Sequence, residues 1–286
     1  MTMRSRYLHC LGREIHFTEW GAEGGDGAAP PVIAWHGLAR SSRDFDDFAA
    51  ALSARWRVIC PDTPGRGLSQ WAQDPAREYC LDFYVDIAEA LLDQLGLQRV
   101  HWVGTSMGGA IGTLGAATKL RGRIRRLVLN DNGPELAAPA LERIKTYAGQ
   151  PPSFAAVTEL EAYFREIYAS FGHLTDTQWR HLTETSLRRL PDGRVTTHYD
   201  PDLVAQFEHH PDDYLLWEAW DQLDLPVLCL RGEDSTLLTA ETAQAMRERG
   251  PRAAVALIPG CGHAPALNTP EQIGLIERFL SADQTP

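Results

Sequence analysis

Basic residues are in deficit in this sequence. Lys and Arg number 27 against 38 Asp and Glu, a formal net charge of −11. A nucleic-acid surface needs a concentrated positive face, so no nucleic-acid partner is expected. The one basic run, residues 119–126, reads as a solvated helix end and loop. Cysteines are also few: Cys10, Cys60, Cys80, Cys229 and Cys261 lie far apart, with no CxxC or other metal spacing. An odd count without a framework reads as reduced thiols, and no metal site is expected. No apolar run approaches the ~20 residues of a membrane span. Residues 1–10 carry no continuous apolar stretch of the secretion-signal kind. The expectation is a cytoplasmic protein without a membrane partner. Long charged or low-complexity tracts are missing too, and 44% hydrophobic against 23% charged residues is the composition of a packed globular chain.

What is present is alternation. Short apolar runs at 32–35, 58–60, 100–103, 127–130, 227–230 and 255–258 are bounded by turn residues. Such runs suit strands buried on both faces of a parallel sheet. Between them lie helical periods at 84–95, 239–249 and 270–280, the first closed by Gly96 and the last opened by Thr269 and Pro270. Residues 7–10 and 13–20 suggest an N-terminal hairpin, with a Gly/Ala-rich loop at 21–29. The alternation stops at about residue 133 and resumes at Pro226. Helix-like stretches at 141–147, 157–171 and 175–190, punctuated by prolines, fill the gap. The expected organisation is one discontinuous α/β core, residues 1–133 and 223–286, with a helical insertion at 134–222.

Four motifs carry chemistry or architecture. The first is Gly104-Thr105-Ser106-Met107-Gly108, a G-x-S-x-G pentapeptide between an apolar strand and a small-residue helix. A sharp strand-to-helix turn of this kind exposes its serine hydroxyl as a nucleophile. The flanking glycines leave room where side chains would collide with backbone. The second motif is Trp35-His36-Gly37-Leu38, just after the first long apolar strand.

With these two motifs the chain resembles the α/β-hydrolase superfamily: an α/β fold with a mostly parallel central sheet of about eight strands and a helical cap inserted after the sixth. The resemblance implies that the backbone N–H groups of Leu38 and Met107 form an oxyanion hole, with His36 bracing the loop. It also matches Asp62, Gly65, Gly67 and Ser69 to the family's D-x-P-G-x-G-x-S turn, read as architecture. In Gly260-Cys261-Gly262-His263 it maps His263 as the general base. The third triad member is less regular. The family's usual G-x-x-D would put the acid at position 235, which is serine, so Asp234 is the leading acid, with Asp131 and Glu233 as alternatives.

Serine at the turn, where dehalogenases and epoxide hydrolases of this fold carry Asp, implies an acyl-enzyme and hence an acyl substrate. No G-x-G-x-x-G follows the first strand, so no cofactor is expected. The resemblance is strongest to small cap-bearing hydrolases: carboxylesterases, esterases of hydroxyacid or polyester oligomers, enol-lactonases and C–C bond hydrolases of aromatic degradation. An ester hydrolase, monomeric or homodimeric, is the leading expectation. A non-catalytic ligand receptor of the same fold is the contrasting one. Phe154, Tyr163, Phe164, Tyr168, Phe171, Trp179, Trp217 and Trp220 are available to line an acyl pocket, and Arg165 or Arg188 to hold a substrate carboxylate.

Overall fold

A computed structural model describes residues 2–21 and 29–282, except the side chain of Tyr147. Residues 22–28 of the expected Gly/Ala-rich loop lie outside them. The apolar runs build one eight-stranded sheet. Its strands are β1 (Arg4–Cys10), β2 (Arg13–Trp20), β3 (Val32–Trp35), β4 (Val58–Pro61), β5 (Val100–Thr105) and β6 (Ile124–Asn130), joined after an insertion by β10 (Val227–Gly232) and β11 (Ala254–Ile258). The spatial order is β1-β2-β4-β3-β5-β6-β10-β11. The N-terminal hairpin is antiparallel and pairs antiparallel with β4, whereas every pairing from β4 to β11 is parallel.

The strands are apolar throughout because both faces are covered. Successive residues point to opposite faces. Ile33, Trp35 and Trp102 therefore join one core, and Val32, Ala34 and Val103 the other. Helices Leu81–Gln94 and Met107–Ala117 cover the first face, where the Trp35 and Trp102 rings stack at 5.2 Å. Helices Asp46–Leu52 and Pro270–Ser281 cover the second. Helix ends follow the sequence signals. Gly96 takes φ 68° where helix Leu81–Gln94 closes, and Leu97 N donates back to Leu92 O at 2.8 Å. Thr239 and Thr269 each accept a backbone N–H as N-caps.

The insertion between β6 and β10 is not purely helical. It carries a small antiparallel sheet, order β7-β9-β8, from β7 (Ser153–Phe154), β8 (Leu187–Arg189) and β9 (Val195–Thr197). The helix expected across 175–190 ends at Glu184. The reason is the turn Pro191-Asp192-Gly193, where Gly193 adopts φ 89° and Leu190 N bonds Arg194 O at 2.8 Å. That turn folds β8 back on β9 as a hairpin. The insertion has its own apolar centre, built on Leu160, Phe164, Trp179 and Val195. The basic run at 119–126 is also not all solvated helix end. Its last residues belong to β6, and Arg126 is buried there with its guanidinium over the Phe279 ring.

Among the described residues no helix is long and apolar enough to cross a membrane.

Candidate active site

The carboxyl ends of β5, β6, β10 and β11 converge, as ligand sites do in open parallel sheets. β5 ends in Thr105, and Ser106 follows at φ 52°, ψ −116° before helix Met107–Ala117 begins. A non-glycine residue in such a region carries strain on the order of 1–3 kcal/mol. Space explains the glycines around it. A Cβ on Gly104 would meet Gly108 O at 2.2 Å, and one on Gly108 would meet Trp35 O at 2.0 Å. The helix start therefore lies directly on β3 and β5. Ser106 N donates to Asn130 O at 3.0 Å, so β6 also holds the turn.

His263 stands in the loop after β11. Its Nδ1 is 2.7 Å from Asp131 Oδ2. Asp131 directly follows β6, is wholly buried, and sits at φ 51°. Its Oδ1 accepts from Gly232 N at 2.8 Å and its Oδ2 from Ser235 Oγ at 2.6 Å. The expectation that Asp234 partners the histidine is corrected by this geometry. Asp234 lies in the exposed turn after β10, where its backbone N–H bonds Cys261 O at 2.9 Å. Glu233 points elsewhere, its Oε2 accepting from Gly260 N at 3.3 Å. Position 235, where the usual spacing seats an acid, carries a serine that hydrogen-bonds the acid of the neighbouring strand.

Asn130 was not singled out by the sequence. Its Nδ2 donates to Thr105 Oγ1 at 3.0 Å and to Pro265 O at 2.8 Å, tying the serine turn to the histidine loop. The insertion also grips that loop. Ser170 Oγ donates to His263 O at 2.6 Å, and Gly262 N donates to Ser170 O at 2.7 Å.

The His36 loop forms the opposite wall. Thr63 N–H donates to His36 Nε2 at 2.9 Å, which places the ring proton on Nδ1. Nδ1 then donates to Gly37 O at 2.7 Å, and Arg40 N approaches the same oxygen at 3.2 Å. Burial holds the His36 pKa down at about 4, so the ring is neutral. In a trans peptide the N–H points opposite to the C=O. Fixing Gly37 O therefore fixes the direction of Leu38 N–H, away from His36. Met107 opens its helix, and the first N–H groups of a helix have no partner within it. The Met107 amide is thus free of intrahelical competition, and the positive end of the helix dipole adds to it.

Ser106, His263, His36, Leu38 and Thr105 all line one cavity of about 830 Å³ between sheet and insertion. That volume is within the range of small-molecule sites. Of the aromatic residues available in the insertion, Tyr168 and Phe171 reach this cavity. Phe154, Tyr163, Phe164 and Trp179 pack in the insertion's own centre, and Trp220 in the main core. The two arginines considered for a carboxylate are engaged elsewhere. Arg165 pairs with Glu161 and Asp176, and Arg188 stacks 5.3 Å over Trp71. Arg143, bonded to Thr236 Oγ1 at 3.1 Å, does line the cavity.

A family model described as alpha/beta hydrolase fold matches residues 30–270. The chain is 40% identical to a 3-hydroxybutyrate-oligomer hydrolase of Cupriavidus necator, across 97% of this chain and 98% of that protein. It is 26% identical to a pimeloyl-[acyl-carrier protein] methyl ester esterase of Nitrosomonas europaea, across 86% and 93%. A crystal structure described as an alpha/beta hydrolase from Novosphingobium aromaticivorans superimposes with a TM-score of 0.86 at 37% identity, covering 97% of this chain and 98% of that one.

Proposed function

This chain belongs to the α/β-hydrolase fold family, and from that premise we propose that it is a serine hydrolase of carboxylic esters acting on short hydroxyacid oligomers. The observation that carries the reading is that His263, paired with buried Asp131, and the strained Ser106 line one cavity. The 40% identity to a 3-hydroxybutyrate-oligomer hydrolase supports the oligomer as substrate.

In this mechanism Ser106 Oγ attacks the ester carbonyl carbon. His263 Nε2 takes the hydroxyl proton and passes it to the leaving alkoxide, which departs as the alcohol. Asp131, bonded to Nδ1, holds the tautomer that leaves Nε2 free as a base and stabilises the imidazolium. The Leu38 and Met107 amides receive the developing oxyanion. Fixed donors of this kind are worth roughly 3 kcal/mol each in the transition state. Water, deprotonated by His263, then attacks the acyl-enzyme and releases the acid.

Incubation with linear 3-hydroxybutyrate trimer, followed by chromatography of the products, tests the reading. Monomer and dimer are expected from the native protein, and Ser106→Ala is expected to release neither. Equal product release by Ser106→Ala, or an intact trimer with the native protein, would refute it.

A further inference from the structure

The Asp62-to-Ser69 turn reads as architecture in the sequence, yet it places one charge where architecture alone has no need of it. Gly65 and Gly67 both adopt left-handed φ, 80° and 55°. Neither tolerates a side chain. A Cβ on Gly65 would meet the Tyr79 hydroxyl at 2.3 Å, and one on Gly67 the Asp62 carboxylate at 2.1 Å. The residue between them is thereby aimed inward, and Arg66 is fully buried.

Its guanidinium touches both residues whose amides are proposed to receive the oxyanion, at the Leu38 carbonyl and the Met107 side chain. Nε donates to Leu38 O at 2.8 Å, and Nη2 lies 4.0 Å from Met107 Sδ. Nη1 donates to Pro64 O at 2.8 Å and to Tyr84 OH at 2.9 Å. All four partners are neutral. The ring faces of Tyr79 and Tyr84 cover the guanidinium carbon at 5.1 and 5.3 Å. The Tyr79 hydroxyl donates to the nearby Asp200 carboxylate. A buried charge is costly unless paired, and it is felt strongly in a low-dielectric interior.

We infer that Arg66 is a positioning residue of the oxyanion site, its fork fixing the Leu38 segment and its charge raising the potential behind the Leu38 and Met107 amides. The inference rests on the acyl-transfer reading above. It also explains the residue type. Arginine presents several donors in a fixed plane, so it can satisfy three acceptors and a thioether at once, which a lysine ammonium on a flexible stem cannot. The same field opposes a proton on His36 and so helps keep that anchoring ring neutral.

Arg66→Lys and Arg66→Gln test this in three measurements: p-nitrophenyl butyrate turnover, the rate of Ser106 labelling by a fluorophosphonate, and inhibition by an alkyl trifluoromethyl ketone and its methyl ketone. The trifluoromethyl ketone forms a hemiketal oxyanion with the serine, and the methyl ketone does not. Arg66→Gln is expected to lower kcat about 10- to 100-fold, less than full loss of an oxyanion donor. KM should stay within about threefold, and trifluoromethyl ketone binding should weaken by the same factor as kcat, with methyl ketone binding unmoved. Arg66→Lys is expected to recover part of the loss, because it restores the charge.

Native-like kcat and trifluoromethyl ketone affinity in Arg66→Gln would overturn the inference while leaving the ester reading intact. Equal weakening toward both ketones would also overturn it, by showing general distortion. Slower fluorophosphonate labelling of Arg66→Gln, in a native protein that turns over no ester, would uphold the inference and sink the ester reading. A native protein that resists labelling altogether would overturn both.

Discussion

His263 Nδ1 lies 2.7 Å from Asp131 Oδ2, so the histidine after the last strand is oriented from the strand beside the serine turn. Asp131 accepts two further hydrogen bonds, from Gly232 N and Ser235 Oγ. Three hydrogen bonds on one buried carboxylate hold it in place and leave it little freedom to rotate.

Ser235 is the removable one of those donors. A hydrogen bond to a charged group is worth roughly 1.5–3 kcal/mol, only part of which is felt in the transition state. Ser235→Ala is expected to lower kcat/KM for p-nitrophenyl butyrate about tenfold with little change in KM. An unchanged kcat would mean that Ser235 serves only the Leu237 and Leu238 amides, which its hydroxyl also accepts.

The serine turn predicts a stability effect that is independent of any substrate. Alanine at Gly104 or Gly108 would push a Cβ to about 2 Å from backbone oxygen. Overpacking typically costs about 1–3 kcal/mol, and more where backbone must move, as here. Gly108→Ala should lose at least about 3 kcal/mol in urea unfolding or fail to accumulate as soluble protein. Gly122→Ala, with nothing within 4 Å of the added Cβ, isolates the cost of positive φ alone and should lose less.

His36 makes stability depend on pH. Its folded pKa, about 4, lies below the ordinary 6.5. Between these values the unfolded chain binds a proton that the folded one refuses, so stability falls as pH drops from about 6.5 toward 4, by up to about 1.4 kcal/mol per pH unit. The slope of unfolding free energy against pH in that window should be shallower for His36→Asn than for the native protein. Parallel slopes would show that other groups set the acid limit.

His181 works in the opposite sense across the seam between insertion and core. Its Nε2 bonds Asp46 Oδ2 at 2.7 Å, and that bond raises its pKa. The stabilisation is complete below the ordinary histidine value and is lost as pH rises through the raised one. Hydrogen exchange in helix Asp176–Glu184, corrected for intrinsic rate, should speed up from pH 6 to pH 8.5, and His181→Gln should remove the difference. A native protein with equal protection at both pH values would count against this clamp.

Most of the sheet was legible because its strands are short apolar runs with turn residues at each end. Each of the six runs from 32 to 258 lies in an observed strand; 32–35 matches its strand end to end, and the other strands run one to three residues further. The serine turn was legible because its glycines mark sites without room for a Cβ, and the histidine loop because a glycine-flanked histidine follows the last apolar run. The partner of His263 was not, because local spacing favours Asp234, and the choice depends on which carboxylate is buried against the neighbouring strand. That is a register relation, with Asn130 opposite Leu230, which no single segment encodes. The hairpin at 187–197 was hidden for a similar reason. Residues 187–189 have a helix-compatible composition, and only the Pro191-Asp192-Gly193 turn and pairing with β9 make them a strand. Arg66 was missed because its charge reads as surface, whereas two left-handed glycines turn it into the core.

The measurement that bears most directly on the account is kcat for Asp131→Asn and Asp234→Asn, side by side, on one ester substrate. An amide at the partner position leaves the imidazole in the wrong tautomer, so Asp131→Asn should lose about 10³- to 10⁴-fold in kcat. Asp234→Asn should stay within about threefold of the native protein. The reverse ranking, with Asp234→Asn crippled and Asp131→Asn active, would contradict the account.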